Sequence, residues 1–318
     1  MTRQPPDLRG LIDPPAARAT GGAVLSVLAL AAGALLLRGR RARPARPAPP
    51  DPVPRQLHAS AAALCASVLA DSALEHYRAR FENPAMLSPL LVSSLAAWFG
   101  ARAAGGRGMR PARRQGVYGL ALATGLAGLA FHVYNLRRKP GGVCWQNLFY
   151  GAPVGAPAAL SLGGALGLAA DWVARTAGAP PRIAGAPAGR ALCALVAAGL
   201  AGTVGEVSLL HYRGSFQNPF MWLPVTVPPV AALLTAASAI ERPQARGHRF
   251  TRAWLRTTAA LGLVGVGFHA HGVSRAMGGW RNWSQNVLAG PPLPAPPSFS
   301  ALALAGLAAL HLREREDA

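Results

Sequence analysis

The sequence predicts an all-α, polytopic transmembrane helical bundle of about nine spans, one N-terminal helix followed by two parallel four-helix repeats. Three observations predict it. Apolar runs near bilayer-spanning length alternate with short polar segments in a 318-residue chain that is 51% apolar and only 14% charged. A polar motif, Leu74 to Pro89, returns as Leu209 to Pro224. At a constant offset His76, Tyr77, Arg78, Phe81, Asn83, Pro84, Met86 and Pro89 recur as His211, Tyr212, Arg213, Phe216, Asn218, Pro219, Met221 and Pro224. The arginines are gathered in the linkers between apolar runs, the pattern of cytoplasmic membrane loops.

That last pattern also decides what a net charge of +20 means. Such a charge ordinarily raises nucleic acid as a partner. No basic patch is interleaved with aromatics and no nucleic-acid motif is present, so the expected partner is the lipid bilayer. Cys65, Cys144 and Cys193 are odd in number, lie at unmatched places and form no C-x-x-C pair. They predict no disulfide framework, and Cys65 and Cys193 read as small core residues.

In chain order, residues 1–21 form a Pro-rich N-terminal tail expected to be flexible. Residues 22–37 form the first membrane helix. A cleaved signal peptide carries its basic residues before the apolar run, whereas here R-G-R-R-A-R follows it, so the helix is retained. Residues 38–55 are a basic Pro/Arg cytoplasmic linker. The first four-helix repeat covers 56–175, with spans near Leu57–Leu74, Met86–Ala101, Val117–Val133 and Val154–Ala174. A linker, 176–190, leads to the second repeat, 191–312, with spans near Leu192–Leu210, Met221–Ile240, Trp254–Ala270 and Leu293–Leu310. Residues 313–318 are a C-terminal tail. Glycines such as Gly119, Gly125, Gly128, Gly262, Gly265 and Gly267 predict close helix approaches.

A second motif closes the third span of each repeat. Phe131-His132 returns as Phe268-His269, Arg138 as Arg275, Gly141-Gly142 as Gly278-Gly279, Trp145 as Trp283 and Gln146-Asn147 as Gln285-Asn286. The offset drifts slightly through this block, as small loop insertions produce. Two motif blocks in fixed order make the duplication signal strong.

Topology follows from charge. If the spans alternate, both motif blocks of both repeats share one side, and most of the 32 Lys and Arg residues lie on the other. The positive-inside rule puts the basic side in the cytoplasm of a bacterial cytoplasmic (inner) membrane, with the N-terminus outside and the C-terminus cytoplasmic. Trp145, Trp222, Trp280 and Trp283 fall at the motif edge, and Trp172 and Trp254 at the opposite one, as interfacial belts place them. Four spans per repeat make the copies parallel, related by an axis along the membrane normal.

The motif side then holds His76, Tyr77, Arg78, Asn83, His132 and Arg138, and equivalently His211, Tyr212, Arg213, Asn218, His269 and Arg275. These read as two equivalent outward-facing sites for a small ligand or cofactor. Three alternatives stand beside that reading. Haem b is the candidate cofactor for electron transfer: His76, His132, His211 and His269 could ligate iron axially, with the four arginines on propionates. Small-molecule, ion or proton transport is suggested by the matched buried acids Asp71 and Glu206, since intramembrane charge is costly to keep. Each acid precedes its histidine by five residues, roughly 7.5 Å along a helix and about 140° around it, which suits a relay better than a shared metal. A non-catalytic anchor docking a periplasmic protein partner is the third.

Other readings carry less. Met86 and Met221 near histidines suit copper, though an isolated helical Met is more often packing. Asn83-Pro84-Ala85 and Asn218-Pro219-Phe220 invite comparison with the paired Asn-Pro-Ala boxes of aquaporins, but parallel four-span repeats are the wrong architecture. Asn as a helix cap followed by Pro in the first turn explains that pair locally. No nucleotide loop, H-E-x-x-H, G-x-S-x-G or repeated E-x-x-H is present, so no catalytic residue is assigned.

Overall fold

The computed structural model describes residues 51–107, 109–151, 154–176, 181–241 and 248–317. The expected tail at 1–21, the first membrane helix at 22–37 and most of the 38–55 linker lie outside the described residues.

The chain is almost wholly helical. Its elements are α1 (Pro52–Arg78), a 3-10 turn (Pro84–Leu87) leading into α2 (Ser88–Ala104), α3 (Pro111–Arg138), the short α4 (Trp145–Tyr150) and α5 (Gly155–Arg175). A two-residue hairpin follows, β1 (Arg182–Ile183) against β2 (Ala186–Pro187). Then come α6 (Ala188–Arg213), a 3-10 turn (Pro219–Trp222) leading into α7 (Leu223–Ile240), and α8 (Arg249–Arg275). A 3-10 turn (Gly279–Asn282), the short α9 (Trp283–Ala289) and α10 (Pro297–Asp317) complete the order.

Several helices outrun their apolar cores. α1 begins inside the stretch expected as linker because Asp51 caps it, accepting the Val53 N–H at 3.1 Å, with Pro52 in the first turn. α6 likewise begins within the 176–190 linker, and α10 runs to Asp317 through the expected tail. The α10 extension is tied down where Arg315 donates to Asp51 at 2.7 Å. The loops between third and fourth long helices contain α4 and α9, which no apolar run marks in the sequence.

Six helices among the described residues are long and apolar enough to cross a membrane. They are Pro52–Arg78, Pro84–Ala104, Pro111–Arg138, Gly155–Arg175, Ala188–Arg213 and Pro219–Ile240. Their outer faces carry Leu91, Leu126, Leu233 and Ile240 into the surroundings, which fits a multi-pass integral membrane protein. α8 and α10 are not among the six; α8 carries His269 and His271, and α10 ends in charge.

Packing follows the same square twice. α1 and α3 each lie on α2 and α5; α6 and α8 each lie on α7 and α10. The first and third helices of each set are therefore diagonal partners. The core runs through both sets in one cluster, including Leu57, Leu64, Leu160, Leu192, Leu200 and Leu302, with Cys65 and Cys193 buried in it. α10 also lies broadly on α1, whereas α5 touches α6 only slightly, so the two sets do not meet by a strict two-fold.

Two glycine crossings are matched. A Cβ at Gly125 would strike the Ser161 turn of α5, and one at Gly262 the Ser300 turn of α10. Gly128 and Gly265 face Pro157 and Pro296 in the same way, whereas Gly119 and Gly267 have open space beside them and mark no helix approach.

Candidate functional site

The recurring motif builds the same connector twice. At the end of α1 the Phe81 N–H donates to the His76 carbonyl at 3.0 Å and the Arg80 N–H to that of Tyr77 at 2.9 Å. At the end of α6, Phe216 and Ser215 donate to His211 and Tyr212 at 3.1 and 2.8 Å. This is the Schellman pattern, which needs a left-handed residue after the helix. Arg80 and Ser215 take it at φ 54° and 55°, and Phe81 and Phe216 continue it at 50° and 45°. Left-handed backbone is uncommon for a bulky residue, so the ring must return something. Each Phe ring meets its histidine edge-on, with centroids 6.3 and 6.1 Å apart.

The histidine then crosses the loop. His76 Nδ1 lies 2.6 Å from the Met86 carbonyl oxygen, and His211 Nδ1 lies 2.7 Å from that of Met221. His269 on α8 does the same to Pro292 at 2.7 Å. A carbonyl only accepts, so Nδ1 carries a proton in all three, and Nε2 is the nitrogen not used by the loop. Asn83 and Asn218 cap the 3-10 turns, each accepting the N–H two residues on, at 2.9 and 3.0 Å. Their side chains are committed to the turn, as the local explanation expected.

The arginines divide. Arg78 Nε donates to the Leu288 carbonyl on α9 at 2.7 Å and pairs with Glu75. Arg213 donates to the Leu148 carbonyl on α4 at 3.2 Å and lies over the Phe149 ring, 5.2 Å from its centroid. Tyr212 packs edge-on against Trp145 and Phe149. Each of these arginines thus ties one helical set to the short helix of the other. Arg138 and Arg275 are exposed; Arg138 stacks over Tyr134. Tyr77 is half-buried at the end of α1.

Asn147 and Asn286 brace the second motif. Asn147 Nδ2 donates to the carbonyls of Pro140 and Gly142, and Asn286 Nδ2 to those of Met277 and Gly279, all at 2.7 to 3.1 Å. Gly141-Gly142 and Gly278-Gly279 supply the left-handed turn, with φ from 51° to 84°.

His211 and His269 stand within electrostatic reach of one another in the second set. His132 occupies the matching place on α3, half-buried. Asp71 and Glu206 come within electrostatic reach across the two sets, with Glu75 beside them. Glu206 Oε1 accepts the Gly155 N–H at 3.3 Å, an acid at the start of α5 where helix N–H groups lack partners. Among the described residues no group of three or more His, Cys, Asp or Glu side chains is placed to hold a metal ion.

The chain matches no protein-family model, and no curated protein or solved structure matches it.

One constellation escapes the sequence reading altogether. His58, Arg114, Tyr118 and Asp171 meet at the end of the first set opposite the motifs. No recurring motif contains them. Their signal is the reverse of repetition: polar residues in apolar runs where the second repeat has Cys193, Thr251, Leu255 and Leu310.

Proposed function

We propose that the chain is a duplicated membrane protein whose two motif sites bind a small ligand or cofactor through imidazole. The architecture in this reading has about nine spans: the N-terminal helix at 22–37 and two four-helix units, 56–175 and 191–312, inserted the same way up. The basic linkers face the cytoplasm of a bacterial inner membrane, and the motif sites face outward.

One observation carries the functional part: His76, His211 and His269 each hold Nδ1–H on a backbone carbonyl. That bond fixes the ring and leaves Nε2 as the nitrogen that could ligate in the neutral tautomer. A ligating histidine is prepared in this way, with its other nitrogen donating to a carbonyl or carboxylate. The diagonal placement of α6 and α8 puts His211 and His269 on opposite corners of one bundle. Haem b is the cofactor such a pair of imidazoles suits best. The arginines contribute less than the sequence suggested, since Arg78 and Arg213 are committed to carbonyls of the opposite set.

The test is an absorption spectrum and metal analysis of protein purified in mild detergent after expression with haem supplied. A Soret band lost in His211→Ala and His269→Ala supports the cofactor reading. Colourless, metal-free protein counts against it. Cysteine labelling at position 147 tests the orientation: reactivity only from the cytosol overturns it.

Transport is the second reading, favoured by Asp71 and Glu206 approaching one another across the units. Acids kept at matched intramembrane positions mark ion or proton paths. Loss of an ion or proton flux in reconstituted vesicles on Asp71→Asn with Glu206→Gln supports it, and absence of any flux from the wild type counts against it.

A further inference from the structure

The first helical set holds a buried polar cluster at its end remote from the motifs. His58 lies on the second turn of α1, about 10 Å from that helix's start. Arg114 and Tyr118 come from α3 and Asp171 from α5. Tyr118 is 0% exposed, Asp171 1% and His58 4%. His58 Nδ1 is 3.0 Å from the Tyr118 hydroxyl, and its Nε2 faces Asp171 Oδ1 at 3.4 Å. The His58 and Tyr118 rings stack with centroids 5.8 Å apart. Arg114 Nε donates to Asp171 Oδ1 at 2.7 Å.

These contacts fix the tautomer of the neutral ring. An ionised carboxylate only accepts, so Nε2 carries the proton toward Asp171. Nδ1 then accepts from the Tyr118 O–H. His58 is thus the opposite tautomer to His76, His211 and His269, with its basic nitrogen buried against a hydroxyl that can turn. Asp171 Oδ2 is buried and has no hydrogen-bond partner, so the carboxylate keeps acceptor capacity beyond Oδ1.

An apolar core would be the stabler filling. Buried ion pairs are often no better than well-packed hydrophobic residues. The corresponding place in the second repeat shows that filling: Cys193, Leu255 and Leu310 are all 0% exposed. The first copy thus has an imidazole, a phenol and a carboxylate where the second has Cys193, Leu255 and Leu310, while the second keeps other buried polar groups nearby, Thr251, His248 and Arg313.

We propose that His58, Tyr118, Asp171 and Arg114 form a proton-binding site specific to the first unit, on the side of the basic linkers. A proton from that side forms a bond with His58 Nδ1. The Tyr118 hydroxyl turns to accept the new N–H, and no other covalent bond changes. Asp171 then lies between two cations, Arg114 and the imidazolium. Also at this end are Arg55 on α1, Arg113 on α3, Arg175 on α5, which donates to the Asp171 carbonyl, and Arg102 on α2, just past the Gly100 contact with the His58 carbonyl, and the buried Cys65 thiol lies within electrostatic reach of Tyr118. On α10, Arg315 is held by Asp51, while Arg313 donates to the carbonyls of Ser238 and Glu241. Asp171 is the acid facing the ring. This site does not depend on the ligand-binding reading of the motif histidines.

The test is nitrogen NMR of histidine-labelled protein in lipid nanodiscs from pH 8 to pH 5, the range in which imidazole changes charge, with His58→Gln assigning the resonance. The expected result is an Nε2–H tautomer at the alkaline end that becomes doubly protonated at the acid end. Asp171→Asn removes the carboxylate that accepts from Nε2, and the His58 nitrogen signals change with it. A His58 ring that keeps one neutral tautomer throughout overturns the proposal, whether or not the variant folds. So do unchanged His58 nitrogen signals in a folded Asp171→Asn protein.

Discussion

The Arg78 guanidinium donates from Nε to the Leu288 carbonyl oxygen at 2.7 Å, across the boundary between the two helical sets. Arg213, its recurrence, donates to Leu148 in the other direction. The exchange is reciprocal without being strictly two-fold, since Leu148 matches Val287 in the repeat and not Leu288. It accounts for two repeated arginines without any ligand.

Loss of either arginine loosens that boundary. Arg78→Ala or Arg213→Ala lowers stability by about 1 kcal/mol, as for a charge-assisted hydrogen bond at a partly exposed site. Thermal unfolding in detergent measures it. Equal melting of wild type and double variant contradicts the bridging role.

The motif histidines share one tautomer. At neutral pH His76, His211 and His269 give Nδ1–H signals in nitrogen NMR, because each Nδ1 faces a carbonyl. An Nε2–H signal from any of them contradicts that contact and removes the support for ligation through Nε2.

The helix crossings tolerate no added methyl group. Gly125→Ala and Gly262→Ala push against the backbone of the neighbouring helix, and each lowers stability by about 1–3 kcal/mol. Gly119→Ala, beside open space, serves as the control and leaves the melting temperature unchanged or raised.

Acid weakens the clasp between the ends of the described chain. Burial pushes the Asp51 carboxyl up, but the Arg315 hydrogen bond and charge and the Val53 N–H outweigh it and hold it below the usual carboxylate range. A depressed carboxyl contributes stability above its unfolded value near 3.8, and that contribution is lost as pH falls through the lower folded value. Wild-type stability therefore drops below about pH 4 more steeply than that of Arg315→Ala. Parallel acid-unfolding curves for the two proteins contradict the clasp.

The residues themselves determined the helical class, the apolar runs and the order of eight long helices. They also determined that His76 and His211, or Asn83 and Asn218, occupy equivalent environments. Such features are local, since periodicity, caps and turn chemistry act within a few residues, so they are legible along the chain. Tertiary structure decided what the polar residues do. Arg78 and Leu288 are neighbours only because the two sets pack side by side. His58, Tyr118 and Asp171 belong to three helices brought together where α5 packs closely on both others, Gly163 against Cys65 of α1 and Gly164 against Leu122 of α3. A hydrogen bond depends on distances of a few tenths of an ångström, and no linear pattern records which distant side chains the packed bundle brings that near.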